Sequence, residues 1–132
     1  MKNLAFAVMA MVITGCASLV AAPEPTAEQI AKANFFSAPD ASEIEPGIRT
    51  WALDGLKDPE SMQLRDIGEP QKGWLAVCIQ DNPVGCQERR FYFGYVVVAK
   101  LNAKNAMGGY GGYQTYRFLF RANKVFMAQR VG

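Results

Sequence analysis

The stretch Arg90-Phe91-Tyr92-Phe93-Gly94-Tyr95-Val96-Val97-Val98-Ala99-Lys100-Leu101 decides the fold. Aromatic and β-branched residues dominate it, which suits an extended, pleated backbone rather than a helix. Side chains alternate between the two sides of a strand. Phe91, Phe93, Tyr95, Val97, Ala99 and Leu101 therefore share one face, and Arg90, Tyr92, Gly94, Val96, Val98 and Lys100 share the other. Both faces are partly apolar, which places this strand at the centre of a sheet. Gly94, alone inside the run, marks a bulge or a close backbone approach.

The neighbours of this strand follow on either side. Downstream, Asn102 to Gly112 is a Gly-rich loop, and Tyr113 to Ala122 reads as a strand. Tyr116, Phe118 and Phe120 lie on one of its faces, and Thr115, Arg117, Leu119 and Arg121 on the other. Ala122-Asn123 makes a tight turn into a last strand, Lys124 to Arg130. Upstream, Trp74 to Ile79 is a strand, and Asn82-Pro83-Val84-Gly85 fits a type I turn, with Asn first, Pro second and Gly last. Ser61 to Ile67 is a shorter strand candidate, with Met62, Leu64 and Asp66 alternating against Gln63, Arg65 and Ile67. Three consecutive antiparallel strands then present one apolar face.

A cover for that face precedes the strands. Ile44, Ile48, Trp51, Ala52 and Leu56 recur at helical spacing. The helix starts near Ser42 or Glu45, either with a capping box from Ser42 to Glu45 or with Pro46 as its first residue. It ends near Leu56 to Lys57, ahead of Pro59. The expected fold is α+β: one amphipathic helix packed on a small antiparallel β-sheet of four to five strands, in a domain spanning residues 42–132. Residues 16–41 read as a tether with Pro23, Pro25 and Pro39 among small and polar residues. Inside it, Thr26-Ala27-Glu28-Gln29 has the form of a capping box, which allows a short helix from Ala27 to about Phe36.

The N-terminus is a targeting segment. Lys2 is a positive n-region, and Leu4 to Ile13 is an apolar run of about ten residues, too short to cross a membrane, which takes about 20. Ile13-Thr14-Gly15 then leads into Cys16. Small residues placed directly before a cysteine resemble the bacterial lipobox. The resemblance implies a signal peptide of residues 1–15, cleavage before Cys16, a lipidated Cys16 thiol and an acylated new amine. Three acyl chains anchor stably, at about 0.8 kcal/mol per buried CH2. The 117 residues left then sit outside the cytoplasm as one domain. Ala17 in place of Asp implies, by analogy with Gram-negative lipoproteins, the outer membrane facing the periplasm.

The cysteine and histidine counts sharpen this picture. With Cys16 taken by lipid, Cys78 and Cys86 are an even pair in an oxidising compartment. They flank the turn at Asn82 to Gly85, so they form either a disulfide closing that loop or two unpaired thiols. The chain has no histidine, which excludes imidazole-based triads and the usual zinc sites. No Gly-Lys-Ser/Thr follows the glycines of the loop, so it is not a P-loop. Asp54, Asp58, Glu60, Asp66 and Glu69 show no pairing that would suit acid–base work. No cofactor, no metal and no enzymatic activity are expected, and the compartment argues against nucleic acid.

Leu56-Lys57-Asp58-Pro59-Glu60-Ser61 and Asn102-Ala103-Lys104-Asn105-Ala106-Met107-Gly108-Gly109-Tyr110-Gly111-Gly112-Tyr113 resemble two elements of a group of small bacterial secreted proteins and lipoproteins. In that group LKDPxS precedes one strand and NAKNxxGGYxG follows a later one. The resemblance spans roughly Ile48 to Val131. It implies architecture and location rather than an activity. Many members of that group carry a cysteine in the strand before the loop. Here that strand reads VVVAKL, and Cys78 with Cys86 stands in its place.

Charge is unevenly placed. Residues 16–88 carry five basic and twelve acidic side chains; residues 89–132 carry eight basic and none acidic. Arg90, Lys100, Arg117 and Arg121 fall on one side of their strands. That side either attracts an anionic surface or serves the fold internally. The Gly-rich loop has the same two readings. It is a hairpin connection, or a site in which Asn102, Lys104, Asn105, Tyr110 and Tyr113, with Arg117 and Arg121 nearby, meet a partner. The expected function is a lipid-anchored, non-catalytic binding module of the envelope. It would hold the membrane through its lipid and meet an anionic envelope component or envelope protein. The alternative is an inhibitor or immunity lipoprotein that plugs an envelope-attacking enzyme with the loop.

Overall fold

Val97, Ala99, Leu101, Phe118 and Phe120 are all buried, and they lie side by side on one face of one antiparallel sheet. The computed structural model describes residues 24–105 and 107–132. The expected signal peptide, Cys16 and the start of the tether lie outside the described residues. Five strands form the sheet: β1 (Gln63–Arg65), β2 (Gln71–Asn82), β3 (Gly85–Asn102), β4 (Gln114–Arg121) and β5 (Lys124–Arg130). β3 is central, as its two partly apolar faces require. One of its edges pairs with β4 from Tyr95 to Leu101, and β5 follows β4 at the outer edge. Its other edge is shared by β2, along Gly85 to Val96, and β1, along Lys100 to Asn102.

Helix α2 (Ile44–Gly55) covers the first face, so the fold is α+β as expected. Ile48 and Ala52 are fully buried against Val97, Ala99, Phe118 and Phe120. Trp51 packs edge-on against Phe118, with ring centroids 5.2 Å apart. Burying Ile48 alone contributes about 2–3 kcal/mol. Gly47 sets how closely the helix approaches, because a Cβ there would sit 2.8 Å from Phe120 Cε1. The helix start differs from both expectations. A 3₁₀ turn, Ala41–Glu43, runs straight into α2, and the residue before the helix, Glu43, makes no side-chain cap bond.

The second face is covered too, which strand parity alone did not indicate. Leu75, Val96 and Leu119 form a separate buried cluster there, flanked by Tyr92 and Met127. Leu75 belongs to β2, which does not pair with β4. It reaches Leu119 because the outer half of the β2–β3 hairpin curls over the sheet. Gly94 lies at the curl, opposite Gly73. A Cβ at Gly94 would collide with the Phe120 carbonyl oxygen. The expected close approach is therefore backbone against backbone. At the far end of the hairpin, Cys78 and Cys86 are joined by a disulfide, with Cα atoms 5.8 Å apart.

The packed body begins before Ser42. Helix α1 (Ala27–Lys32) has the capping box between Thr26 and Gln29, but it stops four residues short of Phe36. Phe35 then packs edge-on against Phe93 at 5.7 Å. The Ser37 carbonyl accepts the Ala122 N–H at 3.1 Å. Asp40 N–H donates to Asn123 Oδ1 at 2.9 Å, and Asn123 Nδ2 donates back to Asp40 Oδ2 at 3.2 Å. Proline and small residues made this segment look like linker, while its partners lie about 80 residues away. Asp66 also departs from the expected alternation. It takes φ 52 and leaves β1.

Gly94→Ala should lower unfolding free energy by about 1–3 kcal/mol, the usual range for overpacking. Gly111→Ala, with open space around it, should cost far less; urea denaturation compares them. Replacing Cys78 and Cys86 together by Ser should cost about 2–3 kcal/mol for so short a loop.

Candidate functional site

The site is built from the two sequence segments singled out above, and Ser61 joins them. Chain after α2 turns through Leu56 into a 3₁₀ turn, Pro59–Ser61, where proline suits the first position. Ser61 Oγ donates to the Asp58 carbonyl at 2.7 Å and accepts the Lys104 N–H at 3.0 Å. The Ser61 carbonyl accepts Tyr110 Oη–H at 3.0 Å. The Gly-rich loop is thus fastened at both its ends to one residue of the LKDPES segment.

Between those fastenings the loop is a tight turn held from within. Lys104 and Tyr110 bridge its two sides. Asn105 Oδ1 accepts the N–H groups of Met107 at 2.9 Å and Gly109 at 3.2 Å. Asn105 N–H donates to the Gly109 carbonyl at 2.8 Å, and Gly108 N–H donates to the Asn105 carbonyl at 3.0 Å. Gly108 supplies the positive φ, 79°, that lets the chain reverse. Met107 is left at the apex, 93% exposed.

Beneath the loop, against the end of α2, lies a cleft of about 720 Å³. Leu56, Leu101, Ala103 and Tyr116 contribute its apolar part. Lys57, Lys104 and Arg130 are its charged lining residues, and no carboxylate among the described residues lines it. Met107 stands on its rim. A second cleft of about 660 Å³ between α2 and β5 has Glu43, Asp54 and Lys124 among its lining residues, so its charges are mixed.

The candidate residues from the sequence divide into three groups. Lys104, Asn105 and Tyr110 come together in the loop. Asn102 and Tyr113 flank it differently. Asn102 is buried on the face of β3 away from Leu101; its Nδ2 meets Gln63 Oε1 at 3.4 Å, and its Oδ1 has no hydrogen-bond partner among the described residues. Tyr113 is covered by the Arg65 guanidinium, 3.8 Å from its ring centroid.

Arg117 and Arg121 do not join the loop. Arg117 Nη2 donates to the Trp74 carbonyl at 3.3 Å, and Arg121 Nε to the Phe93 carbonyl at 3.2 Å. Arg121 also lies between the rings of Phe36 and Phe126, at 4.5 and 3.9 Å. Lys100 Nζ meets Asp66 at 3.3 Å. Lys100, Arg117 and Arg121 thus serve the fold internally, while Arg90 on the same side is exposed. Lys57, Ser61, Met107 and Arg130 were not singled out from the sequence. Lys57, Ser61 and Met107 stood within the two motifs without a role, and Arg130 enters only through its pairing opposite Tyr116.

No protein-family model, no curated protein and no solved structure matches the chain. Among the described residues, no helix is long and apolar enough to cross a membrane.

Ser61→Ala removes the hydroxyl shared by both segments. It should cost about 1 kcal/mol and speed amide exchange at Met107, Gly108 and Gly109, leaving the Val97 and Phe118 amides as slow as before. Tyr110→Phe should act in the same direction on the loop alone.

Proposed function

We propose that this chain is a lipid-anchored, non-catalytic module of the bacterial envelope that binds an anionic envelope component in the cleft under the Gly-rich loop. One observation carries the reading: Lys57, Lys104 and Arg130 converge on a cleft that no carboxylate among the described residues lines. Three like charges around one concavity attract an anion from a distance and hold it by charge-assisted hydrogen bonds. The apolar part of the lining lowers the local dielectric and strengthens both effects.

The position of the cleft supports the same reading. The N-terminal segment docks on Ala122 and Asn123, at one end of β4. The loop lies at the other end, eight residues or roughly 25 Å away. The docked segment therefore does not cover the loop pole. A second reading is favoured by the Asn105 turn. A projecting loop fixed before binding loses little entropy on insertion into a cleft, which suits an inhibitor of an envelope-attacking hydrolase.

Two measurements test the proposal. A palmitate analogue should label the wild type and leave Cys16→Ser unlabelled. The processed chain should bind purified anionic envelope fractions with an affinity that falls steeply with salt, and Lys104→Glu should weaken it about tenfold or more. Equal binding by wild type and Lys104→Glu overturns the anionic cleft. Inhibition of a purified muramidase without binding to envelope fractions selects the second reading.

A further inference from the structure

Met107 has no structural task. It is 93% exposed, its side chain supports nothing in the core, and polar residues are the ordinary occupants of such a turn apex. The turn beneath it is fixed by Asn105 through four hydrogen bonds. The apex therefore does not relax to hide the methionine. Lys57, Lys104 and Arg130 line the cleft on whose rim Met107 stands, and Tyr110 is half-exposed on the other arm of the turn. An apolar tip at the rim of a cation-lined cleft, with a tyrosine on the same turn, matches the chemistry of the bilayer interface. Apolar side chains enter the headgroup boundary, cations meet anionic headgroups, and tyrosine sits at the level between.

We infer that the loop pole docks on an anionic lipid surface, with Met107 inserted among the headgroups and Lys57, Lys104 and Arg130 against their phosphates. This rests on the anionic-cleft reading above and names its partner. Magnitudes favour lipid over a folded protein. A stable protein interface takes about 800 Å² from each partner around buried aromatic anchors. The loop offers a single protruding methionine and separated cations, too little apolar area for that. A headgroup layer deforms around one side chain and needs no matched pocket. Each basic residue near such a surface contributes about fivefold in affinity, so three together supply about a hundredfold.

The test uses the processed chain beginning at residue 16 and carrying Cys16→Ser, so that no acyl chain contributes. Sedimentation with phosphatidylcholine vesicles, with and without phosphatidylglycerol, measures partitioning. The expected result is binding only when phosphatidylglycerol is present, weakened about tenfold or more by Met107→Asp and by Lys104→Glu. Both side chains are exposed, and circular dichroism should show both variants folded. Binding lost in Lys104→Glu but intact in Met107→Asp overturns the insertion and leaves the cationic cleft standing. Binding to soluble wall fragments without binding to vesicles does the same. Met107-dependent binding to a purified envelope protein, with vesicles ignored, replaces the lipid surface by a protein. Binding to neither vesicles nor wall fragments removes the inference and the proposed function together.

Discussion

A sheet has two faces, and among the described residues one helix is long enough to cover one of them. The missing Cβ of Gly94 resolves that shortage. It lets the backbone of β3 pass against the Phe120 carbonyl, so that the β2–β3 hairpin folds over the face that α2 leaves bare. Leu75 is then buried against Val96 and Leu119, and the small domain has a core on each side of one layer. A short chain buries proportionally little surface. Using one hairpin both as sheet and as cover raises that share without further residues.

Covering a sheet with a strand pair brings backbone carbonyls over side chains, and buried carbonyls need donors. The donors come from β4 and β5. Arg117, Arg121 and Gln129 reach the carbonyls of Trp74, Phe93 and Ala76, with Gln129 Nε2 at 2.6 Å. This gives two basic side chains of the second half an internal task. Two of its arginines are braces between layers, and one of them is also clasped by two phenylalanine rings. An arginine used this way contributes through hydrogen bonds and stacking rather than through net charge.

Three consecutive antiparallel strands, the central place of β3 and the apolar face that meets α2 were legible in the sequence, because period-two and period-3.6 patterns report which side of an element is buried. The curled hairpin was legible only as a lone glycine. Parity says which side Leu75 takes; it does not say that β2 leaves the plane of β4. The docked segment from Phe35 to Asp40 was hidden for a related reason. Its bonds go to Phe93, Ala122 and Asn123, and a local reading of prolines carries no information about partners so distant. At the site, Asn105 and the glycines announced a turn. The cleft did not announce itself, since Lys57 and Arg130 come from the two ends of the domain and meet only through the sheet register.

Ser61 ties these levels together. Its hydroxyl and carbonyl receive one bond from each arm of the Gly-rich loop, so the 3₁₀ turn after α2 and the turn at Met107 are mechanically one piece. That piece sits at the end of β4 opposite the docked N-terminal segment. A rigid apex loses little conformational entropy when a partner closes on it. Asn102, just before the loop, is a buried amide whose Nδ2 meets Gln63 Oε1 across to β1. Stability alone would favour an apolar residue at Asn102 and a polar one at Met107. The chain has the reverse at both positions, and both lie at the pole where the cations converge. That combination is the physical reason for placing function here rather than in the cleft of mixed charge beside β5.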